Sequence, residues 1–332
     1  SEKFGENSFR NCDVVDMTFA CIGAVDAMHN TLDWVARGGT ERNRIGIVVF
    51  ADNAKYDLGS SGEYTQGAGG GAILIRHNPR LLAIPDIWGV STMPVHDFFK
   101  PRREVETRTV VENVLELAEE SGARFTSNLA EKILKLLPRS KKKNQIIFEN
   151  EKIMIHKDTP VFDGQFSNRC YSESVKQAFI DFRRQAIEEN RYNPETDEIL
   201  TNQWSRIIVH LPYAFQGKRM FPDVFRHDRR NLPMWERIVE EIGPEPLPSD
   251  FPDTMEGIEE FETANDSYRR LISKTPEFKT FVEQRIEKTQ RASSLIGNQY
   301  TGSIFLALMS AMESDYIENV EMEGSHIGLC GY

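Results

Sequence analysis

Several features that mark other classes of protein are scarce in this sequence. The 332 residues contain four cysteines, with no CxxC pair and no zinc-type spacing. This scarcity favours free thiols in a reducing, cytoplasmic compartment over a disulfide framework. No apolar run approaches the roughly 18 to 20 residues that a membrane-spanning helix needs. The formal net charge of -11 disfavours nucleic acid as a main partner.

The glycine-rich stretch 59–76, GSSGEYTQGAGGGAILIR, lacks the patterns by which glycines bind phosphate. It contains no GxGxxG, and no lysine of the P-loop type follows it. We therefore interpret it as a loop that runs into a strand. Its glycines let the backbone closely approach another backbone or a substrate.

The order of the first predicted elements indicates an α/β fold. Residues 13–20, DVVDMTFA, predict a buried strand, and from Cys21 onward apolar residues recur at helical spacing. Residues 44–51, RIGIVVFA, predict a second buried strand. A strand, helix, strand order predicts helices packed over a sheet.

The length and the patterns divide the chain into three predicted parts. Residues 1–101 and 158–332 carry the α/β patterns, and 102–157 is interpreted as a mostly helical insertion containing VENVLELAEESG and SNLAEKILKLL. In the insertion, RSKKKNQ is predicted to be a solvated turn rather than a nucleic-acid patch. The third part begins with a predicted long helix, 170–190, and ends with a predicted strand in EGSHIGLCGY.

Three residues far apart in the sequence could form a thiol acyl-transfer site. Cys21 lies at a predicted helix N-terminus, where unpaired N–H groups would lower the pKa of a nucleophilic thiol. His210 ends the strand RIIVH at the carboxyl edge of a sheet. Asn298 lies in the loop GNQYTGS before an apolar helix. Each has a structural alternative, as a core thiol, a hydrogen-bonded core histidine or a turn residue.

Five stretches in register resemble the 3-hydroxy-3-methylglutaryl-CoA (HMG-CoA) synthase family of the thiolase superfamily. They are FACIGAVDAMHNTLDWV, ADNAKYDLGSSGEYTQGAGGGAILI, HDFFKP with VFDGQFSNRCY, HLPYAFQGKRMF, and GNQYTGSIFLALMS. The resemblance covers most of 10–332, excluding about 102–157. It implies a thiolase-like fold with α/β/α/β/α layers and two related halves, usually a homodimer, with no metal and no redox cofactor.

The resemblance also implies a reaction and its residues. Cys21 would take an acetyl group from acetyl-CoA, and the enolate of that acetyl group would add to acetoacetyl-CoA, whose ketone His210 polarises. Hydrolysis would then release HMG-CoA, a precursor in the mevalonate route to isoprenoids. The remaining matching positions are assigned to substrate or CoA binding: Asp52, Tyr56, Thr65, Asp97, Lys218 and Asn298.

Departures from the family pattern keep other hypotheses open. The family's glutamate base has no match in the twenty residues before Cys21, and a family turn that donates to the oxyanion would begin where the chain ends. We therefore expect a piece of a longer polypeptide that lacks the N-terminal part and the extreme C-terminus.

Three alternatives follow from these departures. Phe215 occupies a position often basic in relatives, which leaves open an acceptor bound to an acyl carrier protein, as in polyketide β-branching. A non-catalytic paralogue acting as a scaffold subunit is a second alternative. A ketoacyl synthase III-type enzyme is a third.

Overall fold

The computed structural model describes residues 3, 5, 7–38, 44–126, 128–136 and 152–332. The chain divides into one unit made of residues 1–95 and 164–332 and a second unit made of residues 96–163. The basic turn RSKKKNQ lies outside the described residues. The predicted division at 102 and 157 stays a prediction.

The first unit holds most of the regular structure. Before the second unit in the sequence, it contains α1 (Gly23–Gly38), β1 (Ile45–Ala54) and β2 (Gly67–Arg76). The elements α2, α3, β3 and β4 belong to the second unit and are described below. After the second unit in the sequence, the first unit continues with α4 (Gly164–Glu188), β5 (Trp204–Val209), α5 (Gln216–Met220), α6 (Pro222–Arg229), α7 (Pro233–Ile242), α8 (Met255–Ile272), α9 (Pro276–Arg285), α10 (Glu287–Ile296), α11 (Gly302–Ile317) and β6 (His326–Cys330). Within the described residues, every helix is too short or too polar to cross a bilayer.

The second unit is built on a two-stranded antiparallel sheet. It contains β3 (Arg102–Glu106), α2 (Thr107–Glu120), α3 (Leu129–Leu136) and β4 (Lys152–His156), with β3 paired to β4. An ion pair joins the helices, with Arg108 Nη1 2.7 Å from Glu131 Oε1. Both helices were predicted, but the strands at the ends of 102–157 were not.

Strands β1 and β2 form an antiparallel pair with one face against α1. Val48 and Ile75 point inward and pack with α1 residues, whereas Ile47 and Val49 on the other face are 64% and 73% exposed. The prediction of a strand here is confirmed, but the prediction that it is buried is wrong. The alternation along β1 buries only every second side chain.

The glycine-rich stretch is a strand over most of its length. Residues 59–66 lie before the strand, and Gly67 to Arg76 form β2, which pairs with β1, so the prediction of a loop that runs into a strand is confirmed, with the strand beginning at Gly67. Close approach explains the glycines. A Cβ on Gly67 would lie 2.6 Å from the carbonyl oxygens of Ile296 and Asn298. The predicted close approach of backbone to backbone is therefore confirmed at this position.

The main core surrounds a parallel pair, β5 and β6. Strand β5 is rich in β-branched residues, and Ile207, Ile208 and Val209 are almost fully buried. Such burial on both faces is typical of a parallel strand covered by helices. The ladder extends one residue past β5, where the His210 backbone N donates to the Cys330 carbonyl at 3.0 Å. The predicted strand ending at His210 and the predicted terminal strand are both confirmed.

Residues 13–20 do not form the predicted strand. They have no regular secondary structure, and Val14 and Val15 are 83% and 76% exposed. A strand needs a ladder partner, and among the described residues none pairs with this segment. The β-branched pattern alone was therefore misleading here.

Candidate active site

Cys21 lies just before α1, and several of the first N–H groups of this helix already have acceptors. The Ala24 N–H donates to Thr301 Oγ1 at 2.7 Å, a buried bond between residues 277 positions apart. The Val25 and Asp26 N–H groups donate to the carbonyl of Ile22 at 2.9 and 3.0 Å. Two of the donors at this helix start, the N–H groups of Ala24 and Val25, therefore already have acceptors.

The pKa of the Cys21 thiol moves in the direction opposite to the prediction. Burial of the sulfur, followed by the negative charge of Asp52, raises the pKa of Cys21 to about 12. The prediction that the helix start lowers it was wrong. The reason is that burial disfavours the charged form of the sulfur, and the Asp52 carboxylate from β1 raises the pKa further.

His210 is a buried, neutral imidazole at the carboxyl end of β5. Its exposed fraction is 1%, and burial lowers the pKa of His210 to about 3, against the opposing effect of a backbone hydrogen bond with Tyr300. Its Nδ1 lies 2.6 Å from Ser303 Oγ on α11. Its backbone carbonyl accepts from the Tyr171 hydroxyl at 2.5 Å. Helices α4 and α11 thus hold the residue from two sides.

Asn298 joins the loop before α11 to the segment between β1 and β2. Its Nδ2 donates to the Tyr56 hydroxyl at 3.2 Å, and its backbone N donates to the Thr65 carbonyl at 2.8 Å. Its Oδ1 accepts from the Tyr300 N–H at 2.8 Å. Asn298 is fully buried. The structure therefore brings together three of the predicted substrate residues, and Asn298 also serves the turn that contains it.

Tyr300, which the sequence analysis missed, hydrogen-bonds with three of the predicted residues, Tyr56, His210 and Asn298. Burial is the largest cause of the raised pKa of its hydroxyl, followed by electrostatic interactions with the titratable groups of Tyr56, Cys21 and Asp52. Its backbone hydrogen-bonds with His210. Its φ of 44° places a bulky residue in the left-handed region, which is uncommon and often found at functional sites. The sequence signal that could have identified Tyr300 is its position two residues after Asn298.

The two remaining predicted residues, Lys218 and Asp97, have other partners. Lys218 lies on α5, exposed, with its Nζ 4.3 Å from the centre of the Phe215 ring. Asp97 belongs to the second unit, where its Oδ1 accepts from the Asp163 N–H at 3.0 Å. Among the described residues, no group of three or more His, Cys, Asp or Glu side chains is arranged to hold a metal ion.

The cluster has the chemical parts of a thiol-dependent acyl-transfer site. It contains one thiol, one neutral imidazole and an amide from Asn298, with tyrosine hydroxyls and the Asp52 carboxylate around them. A thiol can carry an acyl group, and a neutral N–H donor can polarise a carbonyl without introducing a charge.

Comparison with known proteins identifies related sequences. Residues 145–332, more than half of the chain, match the family described as hydroxymethylglutaryl-coenzyme A synthase C terminal. A hydroxymethylglutaryl-CoA synthase of Haloferax volcanii is 24% identical over the whole chain, and the chain spans 59% of that protein. The Schizosaccharomyces pombe enzyme of the same name is 24% identical over 99% of the chain, which spans 58% of it.

Solved structures show the same fold. The structure described as MvaS in complex with 3-hydroxy-3-methylglutaryl coenzyme A matches 96% of this chain with a TM-score of 0.61 and 21% identity. This chain covers 56% of that protein. The likeness confirms the predicted thiolase-like fold class. The chain therefore spans somewhat more than half the length of each of these three proteins.

Proposed function

The chain belongs to the hydroxymethylglutaryl-CoA synthase family, and from that premise we propose that its protein condenses acetyl-CoA with acetoacetyl-CoA to give HMG-CoA. The observation that carries this proposal is the convergence of the segments of Cys21, His210 and Asn298 on the loop of Tyr300 and Thr301. Tyr300 hydrogen-bonds with His210 and Asn298, and Thr301 accepts from Ala24 in the helix that follows Cys21. These residues come from three segments separated by nearly the whole chain. A purely structural role for each would not require the three segments to meet at one loop.

The first step is transfer of the acetyl group to Cys21. The sulfur forms a bond to the acetyl carbonyl carbon, and the bond from that carbon to the CoA sulfur breaks. The proton of the Cys21 thiol ends on the departing CoA sulfur, so no net proton is released. Because burial and Asp52 raise the pKa of Cys21 to about 12, the thiol must lose this proton as it attacks, and acetylation should become faster as the pH rises.

The second step forms the carbon–carbon bond. Loss of a methyl proton from acetyl-Cys21 gives an enolate, whose carbon adds to the ketone of acetoacetyl-CoA. The ketone oxygen becomes an alkoxide, which a hydrogen bond from His210 stabilises until it takes up a proton to become the product hydroxyl, so that the proton gained balances the methyl proton lost. Water then cleaves the thioester, releasing HMG-CoA and the free thiol. We assign no residue of this chain to removal of the methyl proton.

The other predicted residues are assigned to substrate binding. Asn298, Tyr56 and Thr65 would contact the acetoacetyl group from the side of the β1–β2 segment, where they are hydrogen-bonded to one another. Asp52 would line the same site. Lys218, an exposed cation, suits the phosphates of CoA. Asp97 is assigned to the substrate site on the family resemblance alone.

We further propose the setting of this reaction. A homodimer in a reducing cytoplasm, acting in the mevalonate pathway, would suit the family and the four free cysteines. The organisation into two thiolase-like parts, 1–101 and 158–332, with an insertion at 102–157, belongs to the same proposal.

Acetylation of Cys21 tests the proposal. The full-length natural polypeptide is incubated with acetyl-CoA, digested and examined by mass spectrometry. We expect one acetyl group on the peptide containing Cys21, lost in Cys21→Ala and retained in the matched variant Cys12→Ala, since Cys12 is exposed and outside the cluster. A protein that folds but leaves Cys21 unmodified would favour the alternative of a non-catalytic paralogue.

Separation of the two steps tests the role of His210. We expect His210→Ala to be acetylated at Cys21 and to form no HMG-CoA, because the imidazole is assigned to the ketone of the second substrate. Equal loss of acetylation and condensation in a folded variant would contradict this division of roles.

An acceptor on an acyl carrier protein is the second candidate. Phe215 is 54% exposed and covers the Lys218 ammonium, so an aromatic ring occupies a position that could otherwise carry a second cation for CoA. Parallel assays with acetoacetyl-CoA and with an acetoacetyl carrier protein distinguish the two. Turnover on the carrier protein alone would favour the second candidate.

A further inference from the structure

The two ring nitrogens of His210 have different environments. Nδ1 lies 2.6 Å from Ser303 Oγ. Nε2 is buried and has no hydrogen-bond partner among the described residues. A buried polar atom without a partner is costly unless a ligand supplies one. What Nε2 can do therefore depends on which nitrogen carries the single proton of the neutral ring.

The hydrogen bonds of Ser303 decide the position of that proton. The Leu211 backbone N–H, which can only donate, points at Ser303 Oγ at 3.0 Å. A serine hydroxyl has one proton of its own to donate, and the acceptor that the structure gives it is His210 Nδ1. Nδ1 then accepts with its lone pair, and the ring proton lies on Nε2.

The opposite tautomer fits these contacts less well. A proton on Nδ1 would be donated to Ser303 Oγ. The Ser303 hydroxyl would then accept two hydrogen bonds and lose the acceptor for its own proton. Nε2 of His210 would be a buried lone pair facing a carbonyl substrate that also offers only lone pairs.

We propose that Ser303 is a positioning residue that fixes His210 as the Nε2–H tautomer, so that the site presents an N–H donor to the carbonyl oxygen of an acyl substrate. The identity of that oxygen rests on the proposed function, but the tautomer does not. Leu211 orients the serine, the serine orients the imidazole, and α11 carries the serine next to the loop that holds Asn298. The backbone N–H of Leu211, just after β5, therefore determines which ring nitrogen of His210 carries the proton.

Nitrogen NMR of the imidazole tests this assignment without turnover. In the full-length polypeptide labelled with ¹⁵N-histidine, long-range ¹H–¹⁵N correlations identify the protonated nitrogen, and His210→Gln assigns the signal. We expect the Nε2–H pattern in the wild type and in Ser303→Thr, which keeps the hydroxyl. Ser303→Ala should show a mixture of both tautomers. Ser314→Ala is the matched control, because this buried α11 serine donates within its own helix and should leave the signal unchanged.

Kinetics give the second measurement. We expect Ser303→Ala to lower kcat for condensation roughly 10-fold, because partial loss of the Nε2–H donor destabilises the transition state. The KM for acetoacetyl-CoA and the rate of Cys21 acetylation should be nearly unchanged. Ser303→Thr should restore most of kcat.

Three outcomes are informative. An Nδ1–H pattern in the wild type, or an unchanged pattern in a folded Ser303→Ala, would overturn the proposal. If Ser303→Ala does not fold, the wild-type and Ser303→Thr spectra decide. An Nε2–H pattern in a protein that never acetylates Cys21 would support the tautomer assignment while contradicting the proposed function.

Discussion

We expect iodoacetamide to alkylate Cys21 slowly at neutral pH. Burial and the Asp52 carboxylate raise the pKa of the thiol from 9.0 to about 12, and the thiolate is the nucleophile. At pH 7.5 the thiolate fraction is therefore about 1,000-fold lower than for an unperturbed thiol. The greater nucleophilicity of a more basic thiolate, with a Brønsted slope of about 0.4 to 0.5, recovers roughly 15- to 30-fold. The net rate constant should be roughly 30- to 60-fold lower.

The pH dependence separates this effect from simple shielding of the sulfur. Alkylation is followed by mass spectrometry of the Cys21 peptide from pH 7 to 10, with exposed Cys12 as an internal reference. The logarithm of the Cys21 rate constant should rise by about one per pH unit throughout this range. A shielded thiol of ordinary pKa would also react slowly, but its rate would level off near pH 9. A plateau below pH 9 would therefore refute the reasoning.

A charge variant tests the electrostatic part. Asp52→Asn removes the negative charge that acts on the sulfur, so alkylation should become faster at every pH below 10. Asp33→Asn is the control, because Asp33 lies on α1 with a side chain 72% exposed. No acceleration in Asp52→Asn, or equal acceleration in both, would show that Asp52 has no specific effect on the thiol.

Three further predictions concern stability. Thr301→Val leaves the buried Ala24 N–H without its acceptor and should lower the free energy of unfolding, measured in urea, by about 1–3 kcal/mol. Thr301→Ser keeps the hydroxyl and should retain most of the wild-type stability. Gly67→Ala places a Cβ 2.6 Å from two backbone carbonyl oxygens and should cost about 1–3 kcal/mol in the same assay. Asp315 is desolvated, but its bonds to Arg206 and others lower its pKa overall. Its contribution to stability should therefore be present at neutral pH and be lost as the pH falls through its folded pKa, and Asp315→Asn should flatten the acid side of the stability curve.

Local sequence patterns were sufficient to predict an element where its faces share one kind of environment. The segment ending at His210 is apolar on both faces, and its β-branched residues predicted a buried strand at the correct place. The apolar helix after Asn298 was predicted for the same reason. Residues 13–20 also carry β-branched and apolar residues, but none of the described strands pairs with them. The composition of a segment indicates whether it can form a strand, but it does not indicate whether another strand lies beside it to complete the ladder.

The chemistry of the candidate site depended on contacts between distant segments. The predicted fall in the Cys21 pKa assumed free N–H groups at the start of α1, but Thr301, 277 positions downstream, accepts from Ala24. Neither that contact nor the approach of Asp52 leaves a periodic pattern in the sequence. The residue types at the site could be predicted from sequence, whereas their protonation could not, because pKa values depend on burial and on charges from other elements.

Burial has the same consequence for both reacting groups of the proposed site. It raises the pKa of Cys21 and lowers the pKa of His210, so at neutral pH the thiol and the imidazole are both uncharged. An ion pair of thiolate and imidazolium would give a reactive sulfur but would also tie the imidazole proton to it. A neutral pair leaves the Nε2 proton available for an incoming oxygen and lets the sulfur ionise only as an acyl group arrives. The same desolvation that makes Cys21 slow toward iodoacetamide should thus protect it between turnovers.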